Sequence, residues 1–383
     1  MTRTLLMILL GALPVPGLAT AAPKTKGLPL GGQMPSFKLP GVDGKMHTDR
    51  EYRDAKVLVL VFTCNHCPTA QAYEDRIIKL DKDYRGKGVK LVAISPNNAE
   101  AVRLDELGYA DLGDSLADMK IRAKQKEYPF PYLYDGETQA FSAAVGVKVT
   151  PHVFIFDAKR KLRYNGRIDN SDVGKVTSRD TRNAIDDLLA GREVRVPQTR
   201  IFGCSTKWKS KKAGALASDA RWAKEPVNLV EMDIAGVKKL AANMTKDYLL
   251  VNVWATWCAP CVTEMPEFVI MQRMYRRRNF KLVTLSLDPV DKKARAHSFL
   301  KKVQAAMGNY IVTSTDRDAL AEALDAKWSG RLPYTVFIAP GGKVIYRKEG
   351  KIDAQKLKGV IADNLGRTYA SRKREKQARG TKP

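Results

Sequence analysis

Two apolar runs of strand length stand out along the chain, Val57-Leu-Val-Leu-Val-Phe-Thr63 and Leu249-Leu-Val-Asn-Val-Trp254. Runs without polar alternation are expected of central strands buried on both faces of a sheet. Each passes into an amphipathic helical pattern. After the first, Ala70, Tyr73, Ile77, Leu80 and Tyr84 recur at steps of three and four, and Gly86 stops the helix. After the second, Val262, Met265, Phe268, Val269 and Tyr275 keep a spacing near 3.6 residues. Lys90–Ser95 reads as the next strand of the first unit.

The later halves of the two units run in parallel. Pro151-His-Val-Phe-Ile-Phe-Asp, Lys161–Tyr164 and Gly166-Arg-Ile-Asp169 form one series. Pro333-Tyr-Thr-Val-Phe-Ile-Ala, Lys343–Tyr346 and Gly350-Lys-Ile-Asp353 form the other. Each is a proline-led strand, a turn, a second strand and a Gly-basic-Ile-Asp end, an internal repeat at domain scale. The fold class is therefore α/β, two tandem domains, each a central mixed sheet flanked by helices. The spans from each second cysteine to the proline exceed a helix and a strand, so each domain should carry a helical insertion, at Asp111–Glu127 and Asp316–Lys327.

The ends and joints complete the plan. Met-Thr-Arg3, an apolar core from Leu5 to Leu18 and a small-x-small site at Ala19-Thr-Ala21 predict a signal peptide over 1–21. Domain 1 spans 31–192, opening on a Gly/Pro-punctuated hairpin at Met34–Lys45 and closing on the helix Thr181–Leu189 with Gly191 as its stop. A basic linker covers 193–225, with Trp208 and Ala213–Trp222 as candidates to pack between domains. Domain 2 spans 226–366, and 367–383 reads as a basic, solvated, disordered tail.

Both strand–helix junctions carry a Cys-x-x-Cys pair: Cys64-Asn-His66-Cys67 and Cys258-Ala-Pro-Cys261. A helix N-terminus offers free N–H groups and a positive dipole end, which stabilise a thiolate. Two cysteines three apart close or open a disulfide by exchange. His66 between the cysteines is placed to donate to, or sit positively beside, the Cys64 thiolate. Cys204 is odd in number and keeps three readings: a buried small hydrophobe, an inter-chain pair, or a relay accepting the disulfide from Cys64–Cys67. Zinc is not expected, since the pairs lie far apart and His47, His152 and His297 lack ligand spacing. Haem attachment needs a His after the second cysteine, where Pro68 and Val262 stand. The net charge of +25 favours acidic surroundings such as an anionic envelope surface. No motif supports nucleic acid.

The string Trp257-Cys258-Ala-Pro-Cys261-x-x-Glu264-x-Pro266 resembles the thioredoxin superfamily, within it the exported TlpA/ResA-like reductases. The first domain is similar to redoxin members of the AhpC/TSA type. The resemblance implies a thioredoxin-like fold in both domains, with Cys258 and Cys64 attacking and Cys261 and Cys67 resolving. It implies cis-prolines at Thr150-Pro151 and Leu332-Pro333 that present backbone to a bound substrate strand. Soluble thioredoxins carry an Asp six residues before the first cysteine. Asn252 and Leu58 stand there, so Glu264 becomes the proton-handling carboxylate on Cys261. The first centre departs further: no Trp precedes Cys64, and Ala72 replaces the helix proline. A peroxiredoxin pattern of Pro-x-x-x-Thr-x-x-Cys is absent, with Val57 and Val61 before Cys64 and Val251 and Ala255 before Cys258.

The resulting expectation is an exported, periplasmic or envelope protein thiol–disulfide oxidoreductase with two redox-active centres, needing no cofactor or metal. Its partners are cysteine-containing protein substrates and a membrane or periplasmic thiol donor. The alternatives are a peroxiredoxin-like thiol peroxidase and a basic envelope-binding protein with structural disulfides.

Overall fold

The computed structural model describes residues 27–370, so the expected signal peptide and the basic run beyond Ala370 lie outside the described residues. The N-terminal hairpin is β1 (Lys38–Pro40) and β2 (Met46–Thr48), paired antiparallel. The first domain continues as β3 (Val57–Phe62), α1 (Pro68–Tyr84), β4 (Val89–Ser95), α2 (Leu116–Gln125), β5 (Tyr132–Tyr134) and α3 (Ala140–Val145). It goes on through β6 (Val149–Thr150), β7 (His152–Asp157), β8 (Leu162–Gly166), α4 (Asp180–Leu189) and β9 (Cys204–Ser205). Helix α5 (Lys212–Trp222) joins it to the second domain.

The second domain begins with β10 (Val230–Met232), α6 (Ile234–Ala242), β11 (Tyr248–Trp254), α7 (Ala259–Tyr275) and β12 (Phe280–Ser286). It ends with α8 (Lys293–Lys302), β13 (Gly308–Val312), α9 (Arg317–Leu324), β14 (Tyr334–Ile338), β15 (Val344–Glu349) and α10 (Ala354–Leu365).

Sheet order is β5-β4-β3-β7-β8 in the first domain and β10-β13-β12-β11-β14-β15 in the second. In both, the central strand pairs parallel on one side and antiparallel on the other. The apolar runs explain this placement. Side chains alternate across a strand, so Val57, Val59 and Val61 enter one core cluster and Leu58, Leu60 and Phe62 the other. All six are at most 1% exposed. Burying each is worth about 1.5–3 kcal/mol, which only a strand covered on both faces collects. In β11, Leu250 and Trp254 face the cluster containing α7, while Leu249, Val251 and Val253 face the opposite one. Asn252 falls on the α7 face by the same alternation. The expected insertions appear as α2 and α9.

Two boundaries move. The sequence reading makes 193–225 a linker, yet much of it is built into the first domain. Asn165 N–H donates to Pro197 O (2.9 Å), Thr199 Oγ1 meets Tyr164 Oη (2.9 Å), and β9 pairs antiparallel with β6. The backbone polar groups of this polar stretch are met by the domain edge rather than by water. Helix α5 then bridges, with Ala215 and Ser218 buried and the Trp222 ring under Arg273 of α7 and Arg276 just beyond it.

The tail likewise starts later than Arg367. That guanidinium pairs with Asp111 of the first domain and with Asp363, and Tyr369 meets Tyr109 edge-on at 5.4 Å. A carboxylate as buried as Asp111 requires a partner charge, and Arg367 supplies it. Tyr275 Oη donates to Ala110 O (3.0 Å) and Arg278 to Gly108 O (2.7 Å), its charge 3.9 Å over the Tyr109 ring. The 108–111 loop is thus gripped by the second domain.

Candidate active sites

The position of one proline sets the register of each helix against its cysteines. In the second domain Pro260 lies between them, and α7 begins at Ala259 with Cys258 as its N-cap. Cys258 Sγ accepts from Cys261 N–H at 3.4 Å. In the first domain Pro68 follows the second cysteine. Proline suits the first helical position and holds the residue before it extended. Cys67, at ψ 121°, is accordingly the N-cap of α1 and accepts from Ala70 N–H at 3.5 Å. The helix end faces the first sulfur in one centre and the second sulfur in the other.

Cys258 and Cys261 are joined in a disulfide. Both are buried, Cys261 fully and Cys258 at 7% exposure, while Trp257 stands out at 57%. The loop before them is anchored by Asp288, which accepts from Thr256 N–H (3.0 Å) and Thr256 Oγ1 (2.6 Å). Leu332 packs against the cluster holding both cysteines, and the Leu332-Pro333 bond is cis. Glu264 lies one helical turn beyond Cys261, 1% exposed. Its carboxylate accepts from Ile352 N–H (2.9 Å) and Asn252 Nδ2 (3.2 Å), and Asn252 Nδ2 also reaches Thr335 Oγ1. Burial raises the Glu264 pKa against the pull of those two donors and of Lys351. Asn252 Oδ1 is buried with no donor.

The first centre holds three thiols. Cys64 Sγ lies 3.1 Å from Thr150 Oγ1, Cys67 Sγ 3.3 Å from Thr150 O, and Cys204 Sγ 2.7 Å from Cys67 Sγ. Thr150-Pro151 is cis. His66, expected beside the Cys64 thiolate, has a ring nitrogen within 4.8 Å of Cys64 Sγ, and its Nδ1 meets Asp114 Oδ2 at 2.5 Å, both side chains buried. Asp114 also accepts from Asn65 N–H (2.9 Å), His66 N–H (3.1 Å) and Asn97 Nδ2 (2.7 Å), which fixes the loop between the cysteines.

The charges follow from this geometry. Burial works against the imidazolium, but the Asp114 carboxylate outweighs it and raises the His66 pKa. Burial pushes the Cys64 thiol up. Cys67 feels the same burial, yet hydrogen bonds from the Cys204 and Cys64 thiols, the His66 charge and the Ala70 N–H bring it well below the usual thiol value. Contact with the Cys67 sulfur and burial raise Cys204. These influences favour the thiolate on Cys67 over Cys64 and Cys204.

Asp114, Asn97 and Asp288 were not singled out in the sequence. Asp114 stands one residue before Ser115, the N-cap of α2, and reads as part of that helix start. Among the described residues, Cys64, His66 and Asp114 carry ligand-type atoms within 4.8 Å of one another. A cation there would have to compete with the His66–Asp114 pair and with three further N–H donors to Asp114.

The Redoxin family profile matches residues 29–185 and 229–361. The thiol-disulfide oxidoreductase ResA of Oceanobacillus iheyensis is 28% identical over 116 residues, 30% of this chain and 56% of that protein. The ResA of Bacillus subtilis is 28% identical over 118 residues, 31% of this chain and 62% of that protein. The chain thus spans rather more than half the length of these relatives. An uncharacterized conserved protein from Geobacillus kaustophilus, of solved structure, is 39% identical, covering 48% of this chain and 95% of that one with a TM-score of 0.43. A hypothetical protein from Sinorhizobium meliloti 1021 is 32% identical, with 48% and 97% coverage and a TM-score of 0.43. With most of both domains matched, the chain belongs to the Redoxin family.

Proposed function

We propose that this chain is an exported thiol–disulfide oxidoreductase that exchanges disulfides with protein cysteines at two centres. The observation that carries this reading is the Cys258–Cys261 disulfide at the N-terminus of α7, beside the cis Leu332-Pro333 bond and the exposed Trp257. Cys258, the more exposed sulfur, attacks an incoming disulfide or is attacked when oxidised. Cys261 resolves the mixed disulfide, and Glu264, one helical turn below it, takes up or returns the proton while Asn252 Nδ2 and Ile352 N–H hold its carboxylate. Trp257 and the backbone of Leu332 receive the substrate segment.

At the first centre Cys67 caps α1 with the Cys204 thiol 2.7 Å away, which favours the thiolate there rather than on Cys64, the attacking sulfur the resemblance implies, and makes Cys67 the sulfur for exchange. A stabilised thiolate favours the reduced form and makes the corresponding disulfide more oxidising. The two centres would then work at different potentials. The apolar stretch over 1–21 supports export, and the charge of +25 suits an anionic envelope surface. Among the described residues no helix is long and apolar enough to cross a membrane.

Insulin reduction by the purified chain with a dithiol donor tests the reading. Cys258→Ser should remove most of the activity, and activity retained in the Cys258→Ser, Cys67→Ser double variant would end it. Osmotic-shock fractionation of cells tests the location.

A further inference from the structure

We propose that Cys204 is the third redox cysteine of the first centre, carried on an internal strand that occupies the edge beside the cis-proline and takes the disulfide from Cys64–Cys67. This rests on the thiol-exchange reading and adds a step to it.

The segment around Cys204 is built for that position. Strand β9 pairs antiparallel with β6, Thr150 opposite Cys204 and Val149 opposite Ser205. The edge expected to receive a substrate strand is therefore filled by the chain itself. Gly203 has φ +147°, and a Cβ there would run into the carbonyl oxygen of Thr150, so only glycine allows this approach. Beyond Cys204 the strand is pinned by Thr206 N–H to Lys148 O (3.1 Å) and Lys207 N–H to Asn97 Oδ1 (2.8 Å). Lys207 O accepts from Asn98 N–H (2.9 Å) and Gln139 Nε2 (3.0 Å), and Lys207 Nζ pairs with Glu106 (2.5 Å). Asn97 ties this strap to the His66–Asp114 pair, since its Nδ2 donates to Asp114.

The sulfurs are within reach of exchange. Cys204 Sγ is 2.7 Å from Cys67 Sγ, a short move from the 2.05 Å or so of a disulfide. Cys64 and Cys67 are buried and Cys204 is partly exposed, so among the three it is the sulfur nearest solvent. The Tyr369 side chain, from the C-terminal end of the second domain, lies beside it.

The step balances without an added oxidant once the pair is oxidised. Cys204, as thiolate, attacks Sγ of Cys67 in the Cys64–Cys67 disulfide. The Cys67–Cys204 bond forms, the Cys64–Cys67 bond breaks, and Cys64 leaves with the electron pair and takes up the proton lost by Cys204. One disulfide and one thiol stand on each side. The Cys67–Cys204 disulfide then passes to an external thiol through the partly exposed Cys204.

The test uses the full chain, reduced, treated with limited oxidised glutathione, acid-quenched, alkylated and digested for mass spectrometry. The parent should yield a Cys67–Cys204 linked peptide alongside Cys64–Cys67. Cys64→Ser should convert most of Cys67 to the Cys204 link, and Gly203→Val should lose that link while Cys258–Cys261 still closes. Glutathione on Cys67 with Cys204 fully alkylated in Cys64→Ser, or Cys204–Cys204 dimers in its place, would overturn the proposal. Closure of Cys258–Cys261 and Cys64–Cys67 in those same samples, with insulin reduction intact in the parent, would leave the oxidoreductase reading standing.

Discussion

Glu264→Gln should make the second domain more stable at neutral pH while slowing its thiol exchange. The carboxylate is 1% exposed, and burial raises its pKa above the ordinary 4.5. A carboxyl with a raised native pKa binds more protons folded than unfolded in the window between the two values. Its contribution to stability is whole below pH 4.5 and falls as pH rises through the native value. Each unit of that rise is about 1.4 kcal/mol.

With its oxygen still accepting from Ile352 N–H, the new amide nitrogen meets Asn252 Nδ2, so the Asn252 amide must turn over to accept through Oδ1, and the unmet buried group moves from its oxygen to its nitrogen. The gain at pH 7 therefore comes from the lost burial cost of the carboxylate, about 1.4 kcal/mol for each unit of the pKa rise, or roughly 2–4 °C in Tm per kcal/mol for a domain of this size. Urea unfolding followed by Trp fluorescence from pH 4 to 8 reads this, with the parent losing stability as pH rises and the variant flatter. In turnover, the pH profile of insulin reduction should lose one ionisation. A variant less stable than the parent at pH 7, or with the parent's pH slope, would refute the reasoning.

His66 gives the same sign at the first centre, because its native pKa is raised. Its stabilisation is full below pH 6.5 and is lost as pH climbs through the native value, so His66→Gln should flatten that slope in denaturation of the reduced chain. The Cys64–Cys67 couple should be more oxidising than Cys258–Cys261 when both are titrated against glutathione in the full chain by thiol mass-tagging, and Asp114→Asn should narrow the gap. Coincident potentials in the parent would refute the charge assignment on Cys67. Arg278→Met should cost about 1.5–3 kcal/mol of the hold between domains, since it removes the charged donor to Gly108 O and the cation over the Tyr109 ring, its bonds to Leu365 and Gly366 lying within the second domain. Faster proteolysis within 104–111, with both sheets intact by circular dichroism, checks it.

The buried-strand patterns by themselves determined the two sheets. Val57–Phe62 and Leu249–Trp254 are apolar on both alternating faces, and only a central strand satisfies that. Pro68 and Pro260 were equally legible as local signals, because proline's missing N–H and fixed φ act within a residue or two. They set which sulfur caps each helix. What the tertiary structure decided are the partners contributed from far along the chain. Asp114 sits 48 residues beyond His66 and holds its ring by Nδ1. Lys207 and Asn97 lie 110 residues apart and fix the strap that brings Cys204 to Cys67. The polar run 193–211 looked like a linker because composition records polarity, and its hydrogen-bond partners belong to a sheet edge assembled elsewhere. Arg367 looked solvated for the same reason, since the buried Asp111 charge it pairs with comes from the other domain. Local patterns carry backbone propensity and burial. Charge pairing and strand edges are settled only when distant segments meet.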